Sequence, residues 1–266
     1  MPIKFLSIFL ALALCSPGPI SAAQNAIPPV TSAQAAALLS RSAAALTGSV
    51  ALNDVTLTGS SEWIAGSDDE TGTAAYKSTS AANRLDLALS KGTRSEIRSN
   101  ATGAPSGNWI GLDGVSHAMA NHNLMTDAGW FPAFAIANLI SSSNTVLTYV
   151  GQETRNGASV IHISTSQLFP NLSGNPATLM QHLTQVEIYL DPTTSLPVSY
   201  VFNSHPDNNA ALDIPTEIRY SNYQNVGGAQ IPLHVQKYIN NTLTLDLQFQ
   251  NASLNTGITA AQISAQ

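Results

Sequence analysis

The chain is 266 residues long, carries charge on only 10% of them and has a formal net charge of −6, whereas ordinary soluble domains are roughly 25% charged. Acidic overall, with Lys and Arg scattered, it makes a poor nucleic-acid binder, and without a polybasic cluster it is equally unsuited to anionic lipid surfaces. Ser, Thr, Asn and Gln take the place of charge at the surface.

Residues 1–23 have the layout of a secretory signal peptide. Lys4 gives a positive start, Phe5 to Leu14 is a short apolar run, Pro17 and Pro19 break it, and Ser21-Ala22-Ala23 offers a cleavage site before Gln24. The run is too short for a transmembrane helix, and no second segment is long and apolar enough to span a membrane. Lipidation of Cys15 is disfavoured, because acylation signals want a small residue where Leu14 stands. Cleavage near Ala23 would remove the single cysteine and leave a periplasmic or secreted chain without disulfides. About 240 residues then remain, which suits one domain. Residues 24–30 read as a Pro-containing linker and 31–266 as the domain.

A helix is expected from a Thr31 or Ser32 cap to about Leu46, ended by Gly48. Its stripe is Ala35, Leu38, Leu39, Ser42 and Leu46. Strands follow over Val50 to Ser60, continuing to Ala65 around Trp63. An acidic turn is expected over Ser67 to Gly72, then strands over Ala74 to Ser78 and Arg84 to Leu89. Leu85, Leu87 and Leu89 share one face of the latter, and Arg84, Asp86 and Ala88 the other. Lys91-Gly92 turns the chain into Thr93 to Ser99. A loop leads to Trp109–Leu112, and after the Asp113-Gly114 turn Val115 to Ala120 reads as a short strand. Trp130 to Ile140 is the most hydrophobic stretch of the mature chain. Pro132 suits a first helical turn, and a helix apolar nearly all round is a buried one. Asn156-Gly157 marks a hairpin between Thr145–Gly151 and Ala158–Thr165. Pro176 to Leu183 is a short helix or turn.

From residue 185 to 258 the pattern is a run of antiparallel hairpins. Val186, Ile188 and Leu190 alternate with polar neighbours. Asp191-Pro192-Thr193-Thr194 is a turn, and Gly227-Gly228 and Asn240-Asn241 supply tight ones. A sheet of this kind is apolar on one face and wet on the other; curved, it is a container.

The order of elements resembles the periplasmic lipoprotein-carrier (LolA-like) superfamily. The resemblance rests on Tyr189-Leu190-Asp191 with Leu196-Pro197-Val198, on Tyr220-Ser221-Asn222-Tyr223 with Gly228 and Ile231-Pro232, and on Leu254-Asn255-Thr256-Gly257-Ile258; Arg84 is a looser match. It implies an α+β, mainly antiparallel fold: a curved unclosed β-barrel with an N-terminal helix and a central apolar helix across the concave face. It also implies that the fold holds acyl chains or another apolar ligand.

Reactive chemistry finds little support. His117 and His122, between Asp113 and Asp127, would point to opposite faces of a strand, and there is no His-Glu-x-x-His helix or cysteine pair. Gly103-Ala104-Pro105-Ser106-Gly107 only resembles a nucleophile elbow, and His162 reads as a strand residue. Glu153, Glu187, Asp191 and Glu217 would serve a glycosidase only if two of them faced each other. No cofactor, metal or catalytic residue is expected.

The cavity lining expected from the sequence is Trp63, Leu85, Leu87, Trp109, Trp130, Phe131, Phe134 and Leu139, with Arg84 as a polar latch at the mouth or merely a strand-surface residue paired with Asp86 or Glu96. The leading reading is a non-catalytic binding protein for a lipid or other apolar ligand. The alternative is a cell-envelope structural or interaction module with a filled core and a protein partner. A third is an enzyme with an unrecognised polar cleft.

Overall fold

The structure is a computed structural model describing residues 31–264. The expected leader over residues 1–23, its cleavage site, Cys15 and the linker over 24–30 lie outside the described residues.

Helix α1 (Ala33–Thr47) forms where its cap and stripe place it. The Ser32 hydroxyl accepts the Ala35 N–H at 3.3 Å, satisfying a donor that a helix start leaves open. Ala35, Leu39, Ser42 and Leu46 are buried. Gly48, with φ +57°, ends the helix and bonds back to the Ala44 carbonyl at 2.8 Å.

The strands are β1 (Asp54–Ala65), β2 (Asp68–Thr79), β3 (Ala82–Leu89), β4 (Gly92–Ser99), β5 (Ser106–Ile110), β6 (Ser116–Ala118), β7 (Thr145–Arg155), β8 (Ala158–Gln167), β9 (Val186–Leu190), β10 (Pro197–Ser204), β11 (Ile214–Val226), β12 (Ala229–Ile239) and β13 (Thr242–Leu254). They form one antiparallel sheet of 13 strands in the order β6-β5-β4-β3-β2-β1-β13-β12-β11-β10-β9-β8-β7. Its edges, β6 and β7, do not meet, so the curved sheet stays an unclosed barrel. One meander runs outward from β1 to the β6 edge. The chain then crosses to the β7 edge, meanders back, and seals the two halves by pairing β13 with β1. That edge-to-edge crossing contains α2 (Pro132–Ser141). The expected all-round burial holds for its first half only: Pro132, Ala133, Phe134, Ala135 and Ile136 are all buried, while Ala137 and Ile140 are exposed. With α1 it covers much of the concave face, where one apolar cluster joins both helices to strands of both meanders. Helix α3 (Gly174–Leu183) precedes β9. Helix α4 (Ala260–Ser264), which the periodicity does not signal, contacts β2, β3 and β4 and buries Ile263.

The expected acidic turn is corrected by burial. The chain turns at Gly66-Ser67, and Asp68, Asp69 and Glu70 belong to β2. Glu70 is 1% exposed. Its carboxylate accepts the Lys91 N–H at 3.0 Å and pairs with Arg94 at 3.3 Å. A buried acid needs such partners, and these come from across the sheet, beyond the reach of local pattern. The β6 region is also shorter than expected, and His122 lies in a 3-10 turn (Asn121–Leu124) rather than on a strand with His117.

The motifs quoted for the family resemblance are structural ties. Asp191 accepts the N–H groups of Thr193 at 2.9 Å and Thr194 at 2.7 Å, closing its turn. The Tyr223 hydroxyl donates to the Pro197 carbonyl at 2.8 Å, so two of the motifs hold each other. The buried Tyr220 hydroxyl donates to the Gly129 carbonyl. Gly129 has φ +72°, and a Cβ there would sit 2.7 Å from the Tyr200 ring; only glycine turns the chain here, just before α2. Tyr220→Phe leaves that carbonyl buried and unpaired. We expect a loss of about 1–3 kcal/mol in urea unfolding, and an unchanged midpoint would disprove the tie.

Candidate functional site: an apolar groove on the concave face

The helices leave part of the concave face open. A hollow of about 460 Å³ lies between β1, β3, β4 and β5 on one side and the ends of β12 and β13 on the other, with Trp130 also in its wall. All three tryptophans of the chain line it: Trp63 from β1, Trp109 from β5 and Trp130 from the approach to α2. Leu85 and Leu87 contribute from the core-facing row of β3. Trp130 is 3% exposed and Trp109 is 43% exposed, so the wall runs from a buried floor to an open rim. The Trp109 ring stacks on His117, with centroids 4.2 Å apart.

The remaining expected residues lie elsewhere. Phe131 and Phe134 pack against each other, with centroids 5.1 Å apart, inside the core and not on the groove. The reason is register: they sit at the buried start of α2 and fill space against the sheet. Leu139 faces a second hollow of about 320 Å³ beside α2, which Asn83, Arg98, Asp127 and Asn138 make polar. Arg84 lies on the opposite face of β3 from Leu85, pairs with Asp86 at 2.8 Å and does not line the groove. It is a strand-surface residue, not a latch.

Residues that the sequence reading passed over complete the wall. Ile239, Leu243 and Leu245 extend its apolar surface, and Arg94, Glu96 and Lys237 are its charged members. Arg94 lies 3.8 Å over the Trp63 ring and pairs with buried Glu70. Glu96 pairs with Arg98 at 2.8 Å, and Arg98 also donates to the Asn123 carbonyl at 2.9 Å. Burial pushes the Glu96 carboxyl up, but Arg98 and Lys237 outweigh it and hold it below its ordinary range. The buried Trp130 indole N–H makes no hydrogen bond of ordinary geometry, although it is near enough to Glu96 to favour the charged form. Lys237 is half-buried, with its ammonium 5.5 Å from the Trp130 ring centroid. One signal for Lys237 was legible. The core-facing row of β12 reads Ile231, Leu233, Val235, Lys237, Ile239, a lone cation in an apolar register.

The candidate catalytic groups do not converge on either hollow. His162 bonds to Glu187 at 2.7 Å and lies 3.5 Å from Glu153, while Glu217 is held by Arg155 at 3.2 Å and Arg219 at 2.9 Å. Asp191 serves its turn, and the Ser106 hydroxyl donates to the Ser99 carbonyl at 3.3 Å. His117 pairs with Asp113 at 2.8 Å, and His122 bonds instead to the Pro206 carbonyl at 3.1 Å. Among the described residues, the grouping with metal-ligand proximity is His182, His205 and Asp213, with ligand atoms within 4.8 Å of one another. The sequence reading did not single it out. It lies apart from the groove, and hydrogen bonds already join it: His182 to Asp213 at 2.8 Å and His205 to the Leu212 carbonyl at 3.1 Å.

An unclosed antiparallel half-barrel with an N-terminal helix and a central helix across its hollow is the LolA-like fold, and the chain has it. No protein-family model matches the sequence, and no curated protein matches it. Solved structures do match. A candidate outer-membrane lipoprotein-sorting protein domain from Vibrio parahaemolyticus aligns with a TM-score of 0.56 at 13% identity, covering 86% of this chain and 96% of that one. A LolA superfamily protein from Nitrosomonas europaea aligns with a TM-score of 0.54 at 9% identity, covering 87% and 97%. At such identities the likeness concerns the fold. Among the described residues, no helix is long and apolar enough to cross a membrane.

Proposed function

We propose that the protein is a non-catalytic binding protein of the periplasm or the secreted fraction, holding the acyl chain of a lipid or a similar apolar ligand in the groove. The observation that carries this reading is the groove itself: about 460 Å³, walled by three tryptophans and a leucine row, in a sheet whose helices do not cover it. Small-molecule sites span roughly 300–1,000 Å³ and are mostly apolar with a few placed polar groups. The LolA-like fold supports the same reading. Binding would proceed by burial, at about 0.8 kcal/mol per methylene removed from water. Release would need the segment around α2 to shift or a partner to compete for the chain.

The tryptophans supply the test. Protein stripped of lipid and titrated with a long-chain fatty alcohol should show a saturable blue shift of tryptophan emission. Its melting temperature should rise with ligand concentration, as binding to the folded state requires. Organic extraction of protein purified from its own host should release an apolar molecule. No spectral change, no thermal shift and an empty extract would sink the container and leave the envelope-module alternative.

A further inference from the structure

We propose that Lys237 anchors the anionic head of the groove's ligand, and that this ligand is a single-chain fatty acid held by its carboxylate. The inference deepens the container reading and rests on it.

Position comes first. Lys237 occupies a place that β12 otherwise gives to Ile231, Leu233, Val235 and Ile239, and its partners across the strands are Ile218 and Leu245. A lysine there forgoes the burial an apolar residue would gain and brings a charge into an apolar wall, a cost unless something compensates. Nothing in the protein fully does. Among the described residues, its ammonium makes neither a salt bridge nor a hydrogen bond; the Trp130 ring lies 5.5 Å from it, and Glu96 and Arg98 act on it only through their charges. Burial accordingly holds the ammonium below the ordinary lysine range, with Glu96 opposing that shift and Arg98 adding to it.

The other charges at the wall are already matched. Arg94 is paired with Glu70, and Glu96 with Arg98, which is not itself on the wall. Lys237 is therefore the wall cation that makes no ion pair of its own, with Glu96 already bonded to Arg98, on a wall whose other members are mainly apolar. A molecule complementary to that wall has an apolar chain for the tryptophans and leucines and one negative group for the ammonium. A charge-assisted hydrogen bond to a carboxylate is roughly twice as strong as a neutral one. The volume, in the lower half of the range for small-molecule sites, suits one chain.

The test compares a long-chain fatty acid, the alcohol of the same length and an alkyl phosphate of the same length, each titrated by tryptophan emission against wild type, Lys237→Met and Lys237→Arg. Wild type should bind the acid about tenfold or more tighter than the alcohol. Lys237→Met should bind both equally, near the wild-type affinity for the alcohol, without a fall in melting temperature because it places an apolar residue in an apolar row. Lys237→Arg should restore the preference. Equal binding of acid and alcohol by wild type, or a preference that survives in Lys237→Met, overturns the anchor while leaving the container intact. An alkyl phosphate that outcompetes the acid overturns the carboxylate assignment. If none of the three ligands binds, the container falls and the anchor with it.

Discussion

Replacing Asp54 with alanine should cost about 3 kcal/mol of stability, lowering Tm by roughly 6–12 °C for a chain of this size. Asp54 is 1% exposed at the start of β1. Its carboxylate accepts the Thr256 N–H at 2.8 Å, the Thr256 hydroxyl at 2.9 Å and the Gly257 N–H at 2.9 Å, while its carbonyl accepts the Asn255 N–H at 3.0 Å. Asn255 and Gly257 have φ of +54° and +84°, so the Leu254-Asn255-Thr256-Gly257-Ile258 segment is a built turn that clips onto β1 where β13 seals the two meanders. Burial pushes the Asp54 carboxyl up, but the hydrogen bonds from Thr256 and Gly257 hold it below the ordinary value of 3.8. Because the folded value is depressed, the unfolded chain takes up the proton first as the pH falls. The carboxylate's contribution is thus complete above pH 3.8 and is lost progressively below it. Chemical denaturation at neutral pH and again near pH 3 should show the gap between wild type and Asp54→Ala narrowing in acid. An equal gap at both values would mean that the carboxylate's charge is irrelevant to the clip.

The second large effect concerns the groove. Ile239→Glu should weaken binding of a long-chain fatty alcohol by roughly tenfold to a hundredfold, the equivalent of losing a buried isoleucine contact worth about 1.5–3 kcal/mol. Ile239 is half-buried on the groove wall, so a carboxylate there can reach water and the fold should survive. It also shares a face with Lys237 two residues away, so a fatty acid should suffer more than the alcohol. Ile239→Leu, which conserves volume and polarity, should bind like wild type. Retained alcohol affinity in Ile239→Glu, measured by tryptophan emission at an unchanged melting temperature, would remove the groove as the binding place.

The elements that were legible in the sequence share a physical feature: their determinants are near neighbours. Ser32 and Gly48 frame α1 because a cap and a terminating glycine act on the adjacent turn. Asn156 and Gly157 take φ of +50° and +80° and so turn β7 into β8 whatever surrounds them. The leucine row of β3 follows from alternation alone. Where the reading failed, the determinant was distant. Glu70 looked like a turn residue until Arg94 and the Lys91 backbone were brought to it, and Phe131 and Phe134 looked like cavity lining until α2 was seen to press them into the core.

Trp63, Trp109 and Trp130 were legible as apolar candidates for one pocket, but nothing local places β1, β5 and the approach to α2 side by side. Lys237 was visible as a breach of alternation, yet its meaning depends on Arg94 and Arg98 having partners already. Periodicity, caps and turn residues therefore determined α1, α2, most of the hairpins and the choice of an antiparallel, one-face-apolar sheet, since each is settled by contacts within a few residues. Whether that sheet would close, how much of its hollow α1 and α2 would fill, and which charge would stay unmatched were decided only in the tertiary structure. Coverage and charge balance are sums over residues far apart in the chain, and no short window of sequence contains them.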